Sequence, residues 1–167
     1  MKNFYEKARP TERCQSFGRG VTVIELLVLI SVIGLIILIV LPQLSQTREN
    51  QVLKSGVEDV LSSINKARGG TLSSLNSSEY GVRFQSDRVI IFKGKVFSAI
   101  APDNETINIA APASITNVTL GGVSGTSGDM YFNRLSGSPS TIGTVTLSTT
   151  SYTKIITISA TGVASVN

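Results

Sequence analysis

The sequence lacks histidine and tryptophan altogether, and among its 167 residues the only cysteine is Cys14. Without histidine, neither the usual Ser-His-Asp triad nor a Cys/His nucleophilic pair is available, although serine and threonine are plentiful. A single cysteine also excludes a disulfide within the chain, and zinc sites built from cysteine and histidine are excluded as well. We therefore predict that the chain is not an enzyme and that it binds no cofactor and no metal.

Acidic residues are in the minority at the start of the chain. Residues 1–20 contain five basic and two acidic side chains, a net charge of +3, whereas the whole chain has a net charge of +4. The isoelectric point of about 9.4 therefore comes mostly from this short segment, and the remainder is close to neutral. Basic residues directly before an apolar segment favour a cytoplasmic N-terminus, so we expect the rest of the chain to be exported.

Charge is almost absent from the next segment, Val21–Leu41, whose only ionisable side chain is Glu25. As an α-helix that rises about 1.5 Å per residue, this segment spans roughly 30 Å, the thickness of a bilayer core. Apolar runs in buried helices of soluble proteins are usually shorter. A secretory signal would be cut after the run at a small-residue site, but here the small residues precede the run. We predict a transmembrane helix.

An amphipathic pattern follows over residues 42–68. Its apolar residues recur at helical spacing and share one face; they are Leu53, Val57, Val60, Leu61 and Ile64. Gly69-Gly70 supplies a stop signal. The sequence predicts one helix from about Val21 to about Arg68, bent near Gly34 or at Pro42, the predicted kink residue.

The composition changes at about Thr71, where serine, threonine and glycine become dominant and short β-branched runs alternate with turn residues. Residues 71–167 therefore read as a β-rich globular domain, and we predict an α+β fold in which an antiparallel sheet packs on the apolar face of the helix. We expect the segment Gly121–Gly128 to be a flexible loop. The predicted strands are Tyr80–Phe84, Arg88–Phe92, Lys95–Ile100, Ile107–Ala110, Ile115–Leu120, Met130–Phe132, Thr144–Leu147, Lys154–Ile158 and Val163–Val166.

The residues around the start of the apolar segment are Gly18-Arg19-Gly20-Val21-Thr22-Val23-Ile24-Glu25-Leu26-Leu27. This stretch resembles the class III signal of type IV prepilins and type II secretion pseudopilins, although the family usually has phenylalanine where Val21 stands. The resemblance implies a pilin-like fold and a basic leader, residues 1–20, that a prepilin peptidase removes by cutting between Gly20 and Val21. It also implies N-methylation of Val21, a role in assembly for Glu25, and a proline at the position of Pro42.

Glu25 stands about one helical turn inside an apolar segment. A charged side chain at the membrane centre costs about 2.5–3.5 kcal/mol on insertion scales, and less near the interface. A cationic partner would offset this cost, and cleavage would create one, the free amine of Val21 on a neighbouring subunit. Alternatively, Glu25 is a tolerated charge that reaches the headgroups.

Three segments of the body are similar to the GspH/FimT-like branch of pseudopilins and minor pilins: Tyr80–Phe84, Met130–Gly137 and Ile156–Val163. In that branch a strand, a Phe-x-x-x-Gly-like turn and a final Ile-x-Ile-x-x-x-Gly hairpin recur. Here Phe132 and Gly137 are five residues apart, so the turn matches loosely. A hairpin with Gly162 at its turn is equally typical of any β-domain.

Two polar groups in the body offer weaker hypotheses. Four basic residues cluster across the first predicted hairpin and could contact DNA phosphates: Lys93, Lys95, Arg83 and Arg88. Alternation places Lys93 and Lys95 on one strand face, but the neighbouring aromatic residues are better suited to the core. The loop carboxylates Asp103, Glu105 and Asp129 could bind calcium, although exposed loop acids are more often simply solvated.

Together these patterns predict a structural subunit, a minor pilin or pseudopilin, of a type IV pilus or a type II secretion pseudopilus. Its expected partners are prepilin peptidase, other pilin or pseudopilin subunits, the inner-membrane assembly platform and, before assembly, membrane lipid. We expect a single-pass inner-membrane protein that later joins an extracytoplasmic filament. The alternatives are a DNA-binding minor pilin for DNA uptake and a membrane-tethered binding module that does not polymerise.

Overall fold

The computed structural model describes residues 20–167, except for the side chains of Leu41 and Pro42. The leader predicted for residues 1–20 therefore lies outside the described residues, apart from Gly20. The described chain begins with helix α1, Val23–Leu72. A 3₁₀ turn, Leu75–Ser77, connects it to the strands that make up the rest of the chain.

Helix α1 continues past the predicted stop at Gly69-Gly70 and ends at Leu72. The prediction was wrong because tertiary contacts hold the last turn. The hydroxyl of the fully buried Thr71 donates a hydrogen bond to the carbonyl of Ala67 (2.9 Å) and accepts one from the Tyr80 amide (2.9 Å). Together with burial of Thr71, these contacts outweigh the cost of about 0.5–1 kcal/mol for each helical glycine.

The strands of the described chain form two antiparallel sheets. In chain order the strands are β1 Tyr80–Phe84, β2 Arg88–Lys93, β3 Glu105–Asn108, β4 Ser114–Leu120, β5 Val123–Gly125, β6 Gly128–Tyr131, β7 Gly143–Ser148, β8 Thr153–Ile158 and β9 Ala164–Val166. The first sheet is four-stranded, in the order β3-β2-β1-β6, and the second is five-stranded, in the order β5-β4-β7-β8-β9. A long helix followed by antiparallel sheets confirms the predicted α+β class.

The segment predicted as a strand over Lys95–Ile100 is a loop. Phe97 packs edge-on against Phe92, with ring centroids 5.6 Å apart, and the Ala101 amide donates to the Ser98 carbonyl (3.3 Å). The segment therefore forms turns instead of strand pairs. Consequently Lys93 ends β2 and Lys95 lies beyond it, so the prediction that these two lysines share one strand face was wrong.

The segment Gly121–Gly128 is not simply a loop, because it contains β5. Gly121 and Gly122 have positive φ angles of 58° and 83°, as a tight hairpin turn requires. The turn pairs Leu120 with Val123 and brings β5 onto β4. The sequence carried this signal, since two glycines between the apolar residues Leu120 and Val123 are typical of a two-residue hairpin.

The core lies between the second part of α1 and the inner faces of the two sheets. From the predicted apolar stripe, Leu53, Val57, Val60 and Ile64 are buried and Leu61 is partly buried against the core. These positions confirm the amphipathic prediction. The sheets contribute alternating residues, among them Val82, Phe84, Val89, Ile91, Val118, Met130, Val145, Leu147, Ile156 and Ile158.

The chain divides into two compact units, with the boundary after Val40. The described part of the first unit is the start of α1. The second unit, residues 41–167, contains the rest of α1, both sheets and all the buried core residues of the described part of the chain.

Candidate functional site: the start of helix α1

Gly20 and Val21 precede α1, and both are exposed. Thr22 caps the helix: its hydroxyl oxygen accepts a hydrogen bond from the Glu25 amide (3.3 Å), and its carbonyl accepts one from the Leu26 amide (3.1 Å). This is the usual role of threonine at a helix N-cap. The predicted cleavage site therefore lies immediately before the first residues that the helix holds in place.

Thr22 is a residue that the sequence reasoning missed. The signal was present, because Thr22-Val23-Ile24-Glu25 has the Thr-x-x-Glu spacing of a capping box. Glu25 occupies the position from which an acidic side chain also interacts favourably with the positive end of the helix dipole. The spacing that suggested a processing signal thus has a second, purely local explanation.

The side chain of Glu25 makes no hydrogen bond or ion pair with any residue in the described part of the chain. Its neighbours on the helix surface are apolar: Ile24, Val28, Leu29 and Val32. Every described residue from Gly20 to Val40 is exposed. An uncovered apolar helix of this length requires lipid or protein around it.

Helix α1 is long and apolar enough to cross a membrane, and it lies near the N-terminus. This supports membrane anchoring by length and composition. Pro42 lies within α1 at the boundary between the two units. Its side chain is not among those described, so the predicted kink stays a prediction.

The four basic residues suggested for DNA contact each lie near a carboxylate. The ion pairs are Arg83–Asp129 (3.6 Å), Arg88–Asp87 (2.6 Å), Lys93–Asp103 (3.9 Å) and Lys95–Glu79 (3.8 Å). The Arg88 hydrogen bond lowers the pKa of the Asp87 carboxyl below its ordinary value, and Asp87 in turn raises the pKa of Arg88. Each positive charge is therefore partly neutralised within the chain.

The strand register also places Lys93 on the opposite face of the sheet from Arg83 and Arg88. Arg83 pairs with Ile90, on the face opposite the core, whereas Lys93 pairs with Tyr80, on the face that Val82 and Ile91 share. Nearby aromatic rings are engaged within the chain: Arg83 lies over Phe97 at 4.7 Å and Lys95 over Tyr131 at 5.7 Å from the ring centroids. The DNA hypothesis stays a prediction.

The carboxylates considered for calcium do not converge. Glu105 accepts a hydrogen bond from Lys66, while Asp103 and Asp129 lie beside Lys93 and Arg83. Within residues 20–167, no group of three acidic, histidine or cysteine side chains is placed to hold a metal ion.

The arrangement of a long N-terminal apolar helix followed by antiparallel sheets is compatible with a pilin-like architecture. In comparisons with known proteins, no family model, no curated protein and no solved structure matches this chain.

Proposed function

We propose that this chain is a structural subunit, a minor pilin or pseudopilin, of a type IV pilus or a type II secretion pseudopilus. The observation that carries the proposal is the construction of α1. Its first part is apolar and uncovered, and its second part buries one face in the core of the β-rich body. The helix begins two residues after Val21, the predicted new N-terminus.

Removal of the leader supplies the positive charge that can neutralise Glu25. Cleavage between Gly20 and Val21 frees an amine, and Glu25, one helical turn away, has no partner among the described residues. An uncompensated carboxylate in apolar surroundings is costly. When copies pack through their apolar helices, the Val21 amine of one subunit neutralises Glu25 of the next, which couples proteolysis to assembly.

The route to the filament follows from the charge pattern. The basic leader keeps the N-terminus in the cytoplasm, and the apolar helix holds the precursor in the inner membrane until prepilin peptidase acts. Assembly-platform proteins and other pilin or pseudopilin subunits are the partners at that stage. The body then faces outward from the filament.

Mass spectrometry of the chain recovered from assembled filaments tests the proposal. We expect the N-terminal peptide to begin with N-methylated Val21, with residues 1–20 absent. The matched control is Gly20→Ala, which should leave an uncut precursor in the membrane. Recovery of exported, assembled chain that still begins with Met1 would contradict the proposal.

A further inference from the structure

Strand β2 is buried on both of its faces. Val89 and Ile91 belong to the core, whereas Ile90 and Phe92 are also buried but are not part of the core cluster. Because successive side chains of a strand point to opposite faces, Ile90 and Phe92 lie on the outer face of the first sheet. A small separate apolar cluster of this kind is usual beneath a long loop.

The cover over this outer face is the loop of residues 94–104, which joins β2 to β3. Phe97 packs edge-on against Phe92, with ring centroids 5.6 Å apart, and the Arg83 guanidinium lies over the Phe97 ring at 4.7 Å. Gly81 pairs with Phe92, and an added Cβ at Gly81 would collide with the Phe92 ring. The absent side chain at Gly81 thus leaves the space that the Phe92 ring fills beneath the loop.

The loop is attached to the sheet at few points. Its ends lie close together because β2 and β3 are paired, as in a compact Ω-loop. The Gly94 amide donates to the Glu79 carbonyl (2.8 Å), but in the described chain the other backbone hydrogen bonds of the loop join loop residues to one another. The ion pairs that reach the loop are Lys95–Glu79 (3.8 Å) and Lys93–Asp103 (3.9 Å). Solvent-accessible ion pairs of this kind contribute little to stability.

The closed loop also leaves two buried polar atoms without a hydrogen-bond partner in the described chain, Arg83 Nε and Asn104 Oδ1. The amide nitrogen of Asn104 donates to the Ser98 carbonyl (2.7 Å), so only its oxygen is unpartnered. Burial without a partner costs free energy that is recovered when the atom returns to water. The large aliphatic side chains of the loop, Val96 and Ile100, are 81% and 93% exposed and offset little of this cost. The closed position of the loop is therefore only weakly favoured.

We propose that residues 94–104 form a strap that opens by local unfolding while the core stays folded, and that the strap thereby controls the exposure of Ile90 and Phe92. Segments with few buried apolar contacts open at a lower free energy than a packed core does. Gly94, at the start of the strap, has a φ of 101°, a conformation that glycine adopts without strain, and provides a hinge. The inference concerns the body alone and goes beyond the proposed filament function.

Thiol labelling of the full chain in detergent micelles tests the strap, in a Cys14→Ser background that has no other cysteine. Ile90→Cys reports on the outer face, and Val89→Cys, the adjacent position that faces the core, is the matched control. We expect a thiol reagent to label Ile90→Cys about tenfold faster or more, because local opening requires less free energy than global unfolding. Low urea should change the first rate little and raise the second, since only the second requires the whole body to unfold.

Variants in the strap identify what holds it closed. In the Ile90→Cys background, Phe97→Ala should raise the labelling rate about three- to tenfold, as expected for the loss of one aromatic pair. Val96→Ala, at an exposed position of the same loop, is the matched change that should leave the rate unaltered. Lys95→Gln removes the ion pair with Glu79 and the contact over the Tyr131 ring, and should raise the rate about two- to threefold.

Two results would overturn the proposal. Equal labelling rates with equal urea dependence at Ile90→Cys and Val89→Cys would mean that the outer face opens only when the whole body unfolds. An unchanged Ile90→Cys rate in Phe97→Ala, or in Lys95→Gln if Phe97→Ala does not fold, would mean that the loop is not the cover. Neither result bears on the filament function, which the N-terminal peptide tests separately.

Discussion

At the scale of single residues, the start of α1 gives Glu25 two roles that must be separated. It stands three residues after the N-cap residue Thr22, whose hydroxyl oxygen accepts a hydrogen bond from the Glu25 amide, so its backbone takes part in the N-cap that stabilises the helix end. It is also a carboxylate without a cationic partner within the described chain. A glutamine at this position keeps the capping geometry and removes the charge.

We predict that Glu25→Gln abolishes filament assembly while membrane insertion and cleavage after Gly20 continue, because only the charge that the Val21 amine requires is lost. Glu25→Ala should give the same assembly defect. Immunoblots of sheared filaments and of membrane fractions measure the two pools. Thr22→Ala is the control for the cap: it should lower helix stability by about 0.5–2 kcal/mol and still assemble.

A different result would favour the alternative in which the apolar segment only anchors the chain in the membrane. If Glu25→Gln assembles normally and Thr22→Ala does not, Glu25 acts through the cap alone. If neither variant changes localisation or function, the chain fits the alternative of a membrane-anchored module that does not polymerise.

At the scale of secondary-structure elements, the sequence predicted those whose signal is local and repeated. The stripe from Leu53 to Ile64 has helical spacing, and the hairpin of β1 and β2 is bounded by polar turn residues, so both were found. Lys95–Ile100 has a strand composition, yet it forms turns, and the preceding strand β2 already pairs with β1 on one side and β3 on the other. Which strands pair is decided by contacts between residues distant in sequence, and no local pattern specifies it.

The end of α1 illustrates the same limit. Local propensity ends a helix at Gly69-Gly70, but Thr71 is fully buried and bonds across to Tyr80. The residues discussed for function show the same contrast between those that a local motif predicts and those that only the fold brings together. The predicted cleavage residues and Glu25 follow from a contiguous motif, whereas the ion pairs that offset the basic residues, such as Arg83–Asp129, join residues that are distant in sequence.

Because Gly69 lies inside α1 and not at its end, replacing it with alanine should change the stability of the chain in a predictable direction. An added Cβ at Gly69 would have no atom within 4 Å, so we predict that Gly69→Ala raises the free energy of unfolding by about 0.5–1 kcal/mol. Urea unfolding followed by circular dichroism measures it. If Gly69 instead ended the helix in a left-handed conformation, alanine would destabilise the chain.

Gly143→Ala is the contrasting variant. Its Cβ would collide with the Thr119 carbonyl across the β4–β7 pair, and we expect a loss of about 1–3 kcal/mol, as is typical of overpacking.

At the scale of the whole molecule, the charge distribution bears on the DNA alternative. The four basic residues of the first hairpin region lie beside Asp129, Asp87, Asp103 and Glu79. Affinity for DNA that rests on phosphate contacts falls steeply with salt. Because nearby acids offset these charges, we predict that the chain has no measurable affinity for duplex DNA at physiological salt.

Fluorescence anisotropy over a salt series, with wild type and the Lys93→Glu, Lys95→Glu variant, measures this affinity. Binding that is strong, weakens with salt and disappears on charge reversal would establish the DNA-binding alternative. Binding that is equal in both proteins would place any contact elsewhere.

The last prediction concerns the second of the two units, and whether it folds by itself. Among residues 20–167, all the buried core residues lie in the second unit, and the apolar part of α1 contributes none of them. We therefore expect the body to fold without the first part of α1. We predict that residues 43–167 alone form a soluble domain that unfolds cooperatively, with a midpoint within about 5 °C of that of the full chain in detergent micelles, a shift equivalent to about 1 kcal/mol or less.

Calorimetry measures both midpoints, and a variant within the body shows that the core is specifically packed. Phe132 is fully buried, so Phe132→Ala should cost about 3–5 kcal/mol in either protein. If residues 43–167 retain helical circular dichroism but show no cooperative transition, the body depends on the first part of α1. Independence would instead explain how one helix serves two environments. In the proposed filament, the second part of the helix would stay packed in the body while its first part exchanged lipid for the helices of neighbouring subunits, without refolding of the body.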